Sequence, residues 1–206
     1  MKIALRIPLG WAPPVQELTE WLVWLGRNSD VDIKFPVNRF GPSEARYQIV
    51  QEFLKTDCTH LWMIDSDCCP PQNLNLLKHD YPVVCGWYYQ FSPSKDLKPF
   101  PCVFTEHPKI EHAVVSYKKN LWPNEPFRAA AAGTGCMLIR RDVLEKFDGA
   151  NPFPYGHRKG KIVGEDICFC LMIGGVMIDP SYYCEHYHTW PMGEVYSRIK
   201  LAESCR

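Results

Sequence analysis

Apolar and polar positions along the chain change their period several times, and each change marks an element. Lys2-Ile3-Ala4-Leu5-Arg6-Ile7 alternates and then meets Pro8, the pattern of a first strand running into a loop. Beyond Pro13-Pro14, Val15, Leu18, Leu22 and Leu25 recur at spacings of three and four, which predicts an amphipathic helix that stops near Gly26. A short apolar patch around Ile33-Lys34-Phe35 reads as a second strand. Gly41-Pro42-Ser43 then introduces a second helix, carrying Ile49, Val50, Phe53 and Leu54. Leu61-Trp62-Met63-Ile64 is apolar without alternation, which predicts a strand buried on both faces of a parallel sheet. A short helix with Leu74 and Leu77 inward is expected after Pro70-Pro71, and Val83 to Tyr89 reads as another strand.

Residues 92–127 lose this regularity, with one strand expected near Ala113 to Tyr117. Such an excursion over a rigid sheet is the usual origin of a ligand-binding rim. Order returns with the strand pattern Cys136-Met137-Leu138-Ile139 and a short helix from about Asp142 to Phe147. A loop rich in Gly, Pro and basic residues spans 151–164, and Glu165-Asp166 opens an apolar helix that ends at Gly174-Gly175. Val176 to Asp179 and Tyr182 to His188 read as the last two strands. The succession predicts an α/β chain: a mostly parallel sheet flanked by helices, with a small antiparallel part toward the C-terminus.

At 206 residues the chain fits one domain, and 46% apolar with 22% charged residues suffices for a core. Lys+Arg and Asp+Glu balance at 23 each, so no overall field recruits nucleic acid. Neither a leader pattern nor a run of about 18 apolar residues appears, which points to a soluble, cytoplasmic protein without a transmembrane segment. The ten cysteines fall largely within apolar runs, as reduced thiols do.

Asp65-Ser66-Asp67 follows directly on a buried strand. Ligands of open α/β sheets gather at the carboxyl ends of strands, and two like charges there call for a cation. Hard oxygen ligands suit Mn²⁺ or Mg²⁺, whose remaining positions substrate phosphates fill; the plainer alternative is that the two Asp residues cap the next helix or bind loop amides. Strand periodicity turns His186 and His188 of Cys184-Glu185-His186-Tyr187-His188 to one face, where either offers a third ligand. A zinc site is the competing reading, weakened because the chain contains no C-x-x-C pair. Glu165 and Asp166 stand at a helix start, where the backbone dipole alone favours acids, or where one serves as general base toward a hydroxyl. Gly133-Thr134-Gly135 lacks the third glycine and the order of a dinucleotide loop, and no P-loop is present. The basic run His157, Arg158, Lys159 and Lys161 suits either a cover over a diphosphate or a solvated loop.

In chain order, Ile7-Pro8, Ala45-Arg46, Leu61 to Asp67, Gly133 to Arg141, Gly164-Glu165-Asp166 and Asp179 through His186 resemble the GT-A glycosyltransferases, particularly the family-2-like enzymes with a D-x-D element. The compact size is similar to that of glycosyltransferases encoded by large algal viruses. The resemblance spans nearly the whole chain. It implies a nucleotide-binding half over about 1–90 and an acceptor half over about 91–206 on one continuous sheet. Asp67 is then the direct metal ligand, Asp65 sits against the ribose or the ion, and His186 completes the coordination, with His188 as its rival. Ile7, Pro8, Arg46 and Ser66 border the nucleotide, and Gly133 to Gly135 line the sugar pocket. Asp166 is the base of an inverting reaction, with Glu165 as rival. The implied partners are a nucleotide-sugar donor, UDP-linked by preference with GDP open, and a glycan or other hydroxyl acceptor. The competing functions are a non-catalytic sugar- or nucleotide-binding module, a zinc-stabilised interaction domain and a nucleotidyltransferase.

Overall fold

The computed structural model describes residues 1–9, 13–37, 41–91, 99–109, 114–158 and 161–187. Seven strands form the central sheet: β1 (Ile3–Arg6), β2 (Val31–Lys34), β3 (His60–Ile64), β4 (Val83–Trp87), β5 (Phe127–Ala129), β6 (Cys136–Arg140) and β7 (Val176–Tyr183). Their spatial order is β5-β7-β4-β6-β3-β1-β2. β1, β2, β3, β4 and β7 run one way, while β6, inserted between β3 and β4, and β5 at the edge run the other. Helices α1 (Gln16–Asn28), α2 (Pro42–Leu54), α3 (Arg141–Glu145) and α4 (Glu165–Met172) flank the sheet.

The period-two rule divides the core cleanly. Leu61 and Met63 of β3, Met137 and Ile139 of β6, and Val83 and Cys85 of β4 point to one face, against Ile49, Val50 and Phe53 of α2 and Phe169 of α4. Trp62, Ile64, Leu138 and Val84 point to the other, against Leu18, Trp21 and Leu25 of α1. Each such fully buried aliphatic or aromatic side chain contributes roughly 1.5–3 kcal/mol of transfer free energy. That double burial is why β3 and β4 carry unbroken apolar runs. β3 is parallel to β1 but antiparallel to β6, so burial on both faces here does not require two parallel neighbours.

The α/β architecture agrees with the sequence pattern, and several details correct it. The last two expected strands are one: β7 continues through Pro180 with a register irregularity between Ile178 and Tyr183, and Glu185–His186 then pairs with Cys68–Cys69. The irregular excursion contains more strand than its composition suggested. Val103–Glu106 pairs with Val114–Ser116 and Ala131–Ala132, and Tyr89–Phe91 pairs with Pro99–Pro101. The basic loop folds as a ribbon, Gly156–Arg158 against Lys161–Val163. After Pro70-Pro71 only a 3₁₀ turn forms, Asn75–Lys78, and its fully buried residue is Leu76, with Leu74 and Leu77 only partly covered.

Two arginines lock the elements. Arg6 is completely buried in β1, its guanidinium donating to the Asp32 carbonyl at 2.8 Å and to the Asp32 carboxylate at 2.6 Å on β2. Arg141 donates to the carbonyls of Phe53 and Cys58 at 3.2 and 2.8 Å, satisfying backbone at the open end of α2. Every cysteine among the described residues is a free thiol. No helix among them is long and apolar enough to cross a membrane.

Candidate functional site

The site assembles where β3 ends. Asp65 to Cys68 form a tight turn closed by the Cys68 amide donating to the Asp65 carbonyl at 3.0 Å. Three other segments bind this turn through backbone bonds. The Val15 amide donates to the Ser66 carbonyl at 3.0 Å, the Asp65 amide to the Gly135 carbonyl at 3.1 Å, and the Tyr187 amide to the Asp67 carbonyl at 2.8 Å. Residues near 15, 66, 135 and 187 are thereby gathered at one strand end.

Arg46 organises the first half of the site. It projects from α2 and is only 6% exposed. One guanidinium nitrogen donates to both Asp65 oxygens, at 2.9 and 3.2 Å, and the other to Glu165 Oε1 at 2.8 Å. Burial acts to lower the guanidinium pKa, and the Asp65 and Glu165 charges overcome it, leaving the group held above its usual value. Burial raises the carboxyl pKa of Asp65, against the pull of Arg46. Removing one partner of such a buried network strands the others. Arg46→Met is expected to cost about 3–5 kcal/mol at neutral pH, measured by denaturant unfolding, and less at acidic pH as Asp65 takes up a proton.

Asp67 and His186 make the second half. His186 Nε2 stands 3.4 Å from Asp67 Oδ2, with the histidine side chain 8% exposed and the aspartate 45%. His186 Nδ1 lies 3.1 Å from the Tyr89 carbonyl, which only accepts, so Nδ1 carries a proton and donates. Nε2 of the neutral ring is then a lone pair facing a carboxylate, and the pair needs a cation. A proton meets that need: burial pushes the imidazolium pKa down, and the bond to and charge of Asp67 bring it above its usual value. A divalent ion would meet it as well, since one carboxylate oxygen and one imidazole nitrogen are donor types that such an ion takes. Asp65 turns to Arg46 instead of joining this pair. Among the described residues no group of three or more His, Cys, Asp and Glu side chains stands ready around a metal position. His188 and Lys159 lie outside the described residues.

The α4 start carries the third component. Asp166 Oδ1 accepts from the Ile167 amide at 2.7 Å. Burial, reinforced by the neighbouring Glu165, raises its carboxyl pKa from 3.8 to about 6. The two acids have separated roles: Glu165 is committed to Arg46, and Asp166 is a carboxyl whose ionisation falls near neutrality.

Other predicted residues sit differently. Ile7 is fully buried in the apolar core, its amide bonded to the Lys34 carbonyl at 3.1 Å, while Pro8 is half-buried on the loop beyond. Gly133 and Gly135 have a local reason to be glycine. A Cβ on Gly135 would meet Tyr88 Cε1 at 2.6 Å, and one on Gly133 would meet Cys102 Sγ at 2.6 Å as well as the Tyr88 hydroxyl. The Tyr88 ring lies against this backbone and packs on His186, with ring centroids 4.7 Å apart. Nothing in the local sequence assigned Tyr88 to this place beside Gly133, Gly135 and His186. Its trace was the glycine pair beside a strand, which signals close approach of something bulky without saying what. Gly133→Ala is expected to destabilise the fold by about 1–3 kcal/mol, and Tyr88→Phe should recover part of that loss by removing the hydroxyl; paired thermal melts check it.

No family model matches the sequence, and no curated protein matches it. Solved structures do. A197 from STIV superposes with a TM-score of 0.63 at 22% identity, covering 92% of this chain and 87% of that one. The fold is GT-A-like. GalNAc-T7, solved with UDP, GalNAc and Mn²⁺, gives a TM-score of 0.53 at 14% identity over 91% of this chain and 44% of that chain. The inositol-1-phosphate CTP transferase from T. maritima gives 0.50 at 11% identity over 98% and 96%. The chain thus shares its α/β frame with sugar- and nucleotide-transferring proteins, and at these identities the likeness concerns the frame.

Proposed function

We propose that this chain is a metal-dependent glycosyltransferase that moves a sugar from a nucleotide-sugar donor, UDP-linked, to a hydroxyl of a glycan or other acceptor. The observation that carries the reading is the facing pair Asp67 Oδ2 and His186 Nε2 at the carboxyl end of β3. Its donor set, one carboxylate oxygen and one imidazole nitrogen, suits Mn²⁺ or Mg²⁺, whose remaining positions phosphate oxygens and water would fill. A divalent ion held there supplies charge neutralisation to the departing diphosphate, an effect of several kcal/mol.

The chain's own residues do the remaining work. Arg46 fixes Asp65 at the edge of the donor site and anchors α4 through Glu165. Asp166 receives the acceptor hydroxyl's proton as the acceptor oxygen bonds to the anomeric carbon; the sugar–phosphate bond breaks and its electron pair leaves with the nucleoside diphosphate. A base with a pKa of about 6 is ionised at neutral pH and still strong enough to assist. Tyr88 holds His186 and the 133–135 backbone in register. In this reading residues 1–90 serve the nucleotide and 91–206 the acceptor.

Thermal shift with UDP- and GDP-sugars, with and without Mn²⁺, tests the reading. Stabilisation by a UDP-sugar that requires the metal is expected, and donor binding indifferent to metal counts against it. The likeness to the CTP transferase, across 98% of this chain, favours nucleotidyl transfer as the second reading. Release of pyrophosphate instead of a nucleoside diphosphate would decide for it.

A further inference from the structure

At the end of the sheet opposite Asp65, the first residues of β4 and β7, the turn after α3 and the C-terminal end of α4 enclose a cavity of about 620 Å³. Its walls are apolar, with Val83, Val143, Phe147, Met172, Val176 and Met177 among them. Met172 remains 51% exposed, a large apolar side chain turned to a concavity instead of into the core. The charged residues at this cavity are Arg128 and Lys146, both cationic, with no acid in the lining. The chain as a whole is balanced, 23 basic against 23 acidic residues, so a general basic bias does not account for the pairing. Neither cation forms an ion pair among the described residues.

Arg128 is also held in place. Its Nη2 donates to the Gly174 carbonyl, which uses one of the five guanidinium donors. Gly174 and Gly175 both have positive φ, 80° and 106°, and a Cβ on Gly175 would meet the Ala129 carbonyl oxygen at 2.7 Å and lie 3.3 Å from Arg128 Nε. The glycine pair therefore turns the chain tightly and clears the surface on which the guanidinium lies. Capping of α4 by Arg128 explains that single bond. It explains neither the apolar hollow beside it nor Lys146 on the same rim.

We propose that this cavity binds a small amphiphile with an anionic head, of the fatty-acid class, its alkyl chain against Val143, Phe147 and Met172 and its carboxylate at Arg128 and Lys146. The volume lies within the usual span of about 300–1,000 Å³ for ligand sites, and an apolar body with a few convergent polar groups is their usual make-up. The site is separate from the Asp67–His186 centre, and its test reads binding alone.

Titration calorimetry of the whole chain with decanoate below its micellar concentration, beside decyl maltoside and decyltrimethylammonium, is the experiment. Saturable one-to-one binding of decanoate is expected, at least about tenfold tighter than the neutral and cationic chains. Arg128→Gln with Lys146→Gln, both at exposed positions, should weaken decanoate at least about tenfold, with the melting temperature lowered by no more than the loss of the Arg128 bond to the Gly174 carbonyl costs, and Met172→Trp, at a half-exposed position, should fill the hollow and remove binding. Absence of saturable decanoate binding overturns the proposal. So does equal binding of all three amphiphiles, an unchanged affinity in the double variant, or self-association of the chain through this face that excludes decanoate.

Discussion

Asp67→Ala is expected to remove metal-dependent turnover of the nucleotide sugar by about a thousandfold or more, equivalent to about 4 kcal/mol of transition-state stabilisation. The fold should survive, because what Asp67 contributes to packing is its backbone: its carbonyl receives the Tyr187 amide, and its side chain is 45% exposed. Melting within a few degrees of the parent, together with lost Mn²⁺-dependent donor binding, is the combined signature. Undiminished turnover in saturating Mn²⁺ would place the ion elsewhere.

Asp166→Asn is expected to lower kcat by about 10²–10⁴-fold while leaving donor KM within about threefold. The amide preserves the acceptor for the Ile167 amide, so the α4 start keeps its geometry. The wild-type rate should rise with pH through about 6 and level off above it, because the raised pKa keeps the carboxyl protonated and inactive at lower pH. That limb should vanish in the variant. The same group affects stability with the opposite preference. A carboxyl raised from 3.8 to about 6 in the folded chain favours the fold in its protonated form, so its contribution is present at low pH and lost as pH rises through about 6. Asp166→Asn should therefore melt higher than the parent at pH 8, with the gap closing toward pH 4. A variant that loses kcat and donor affinity together would make Asp166 a donor-site residue.

The sheet was legible because its inner strands are buried on both faces, and residues such as Leu61 to Ile64 state that burial locally. What stayed hidden was non-local. Alternation in Lys2 to Ile7 gave no sign that Arg6 is fully enclosed, since its partner Asp32 lies on another strand. Residues 92–127 read as irregular because their strands run only three or four residues, too short to establish a period. Asp65, Asp67, Glu165, Asp166 and Arg46 were each visible as residue types at element ends. The division among them was not: Arg46 claims Asp65 and Glu165, which leaves Asp67 to His186 and Asp166 to itself. That allocation follows from three-dimensional distances, as does the place of Tyr88 against Gly133 and Gly135.

The most direct test is a crystal of the chain soaked with Mn²⁺ and UDP, with anomalous diffraction recorded at the manganese edge. The ion is predicted about 2.1–2.3 Å from Asp67 Oδ2 and His186 Nε2, with diphosphate oxygens in its remaining positions and the Arg46–Asp65 pair intact at its side. Manganese and diphosphate both absent from the turn at residues 65–67, with the Asp67–His186 pair unchanged, would contradict the account.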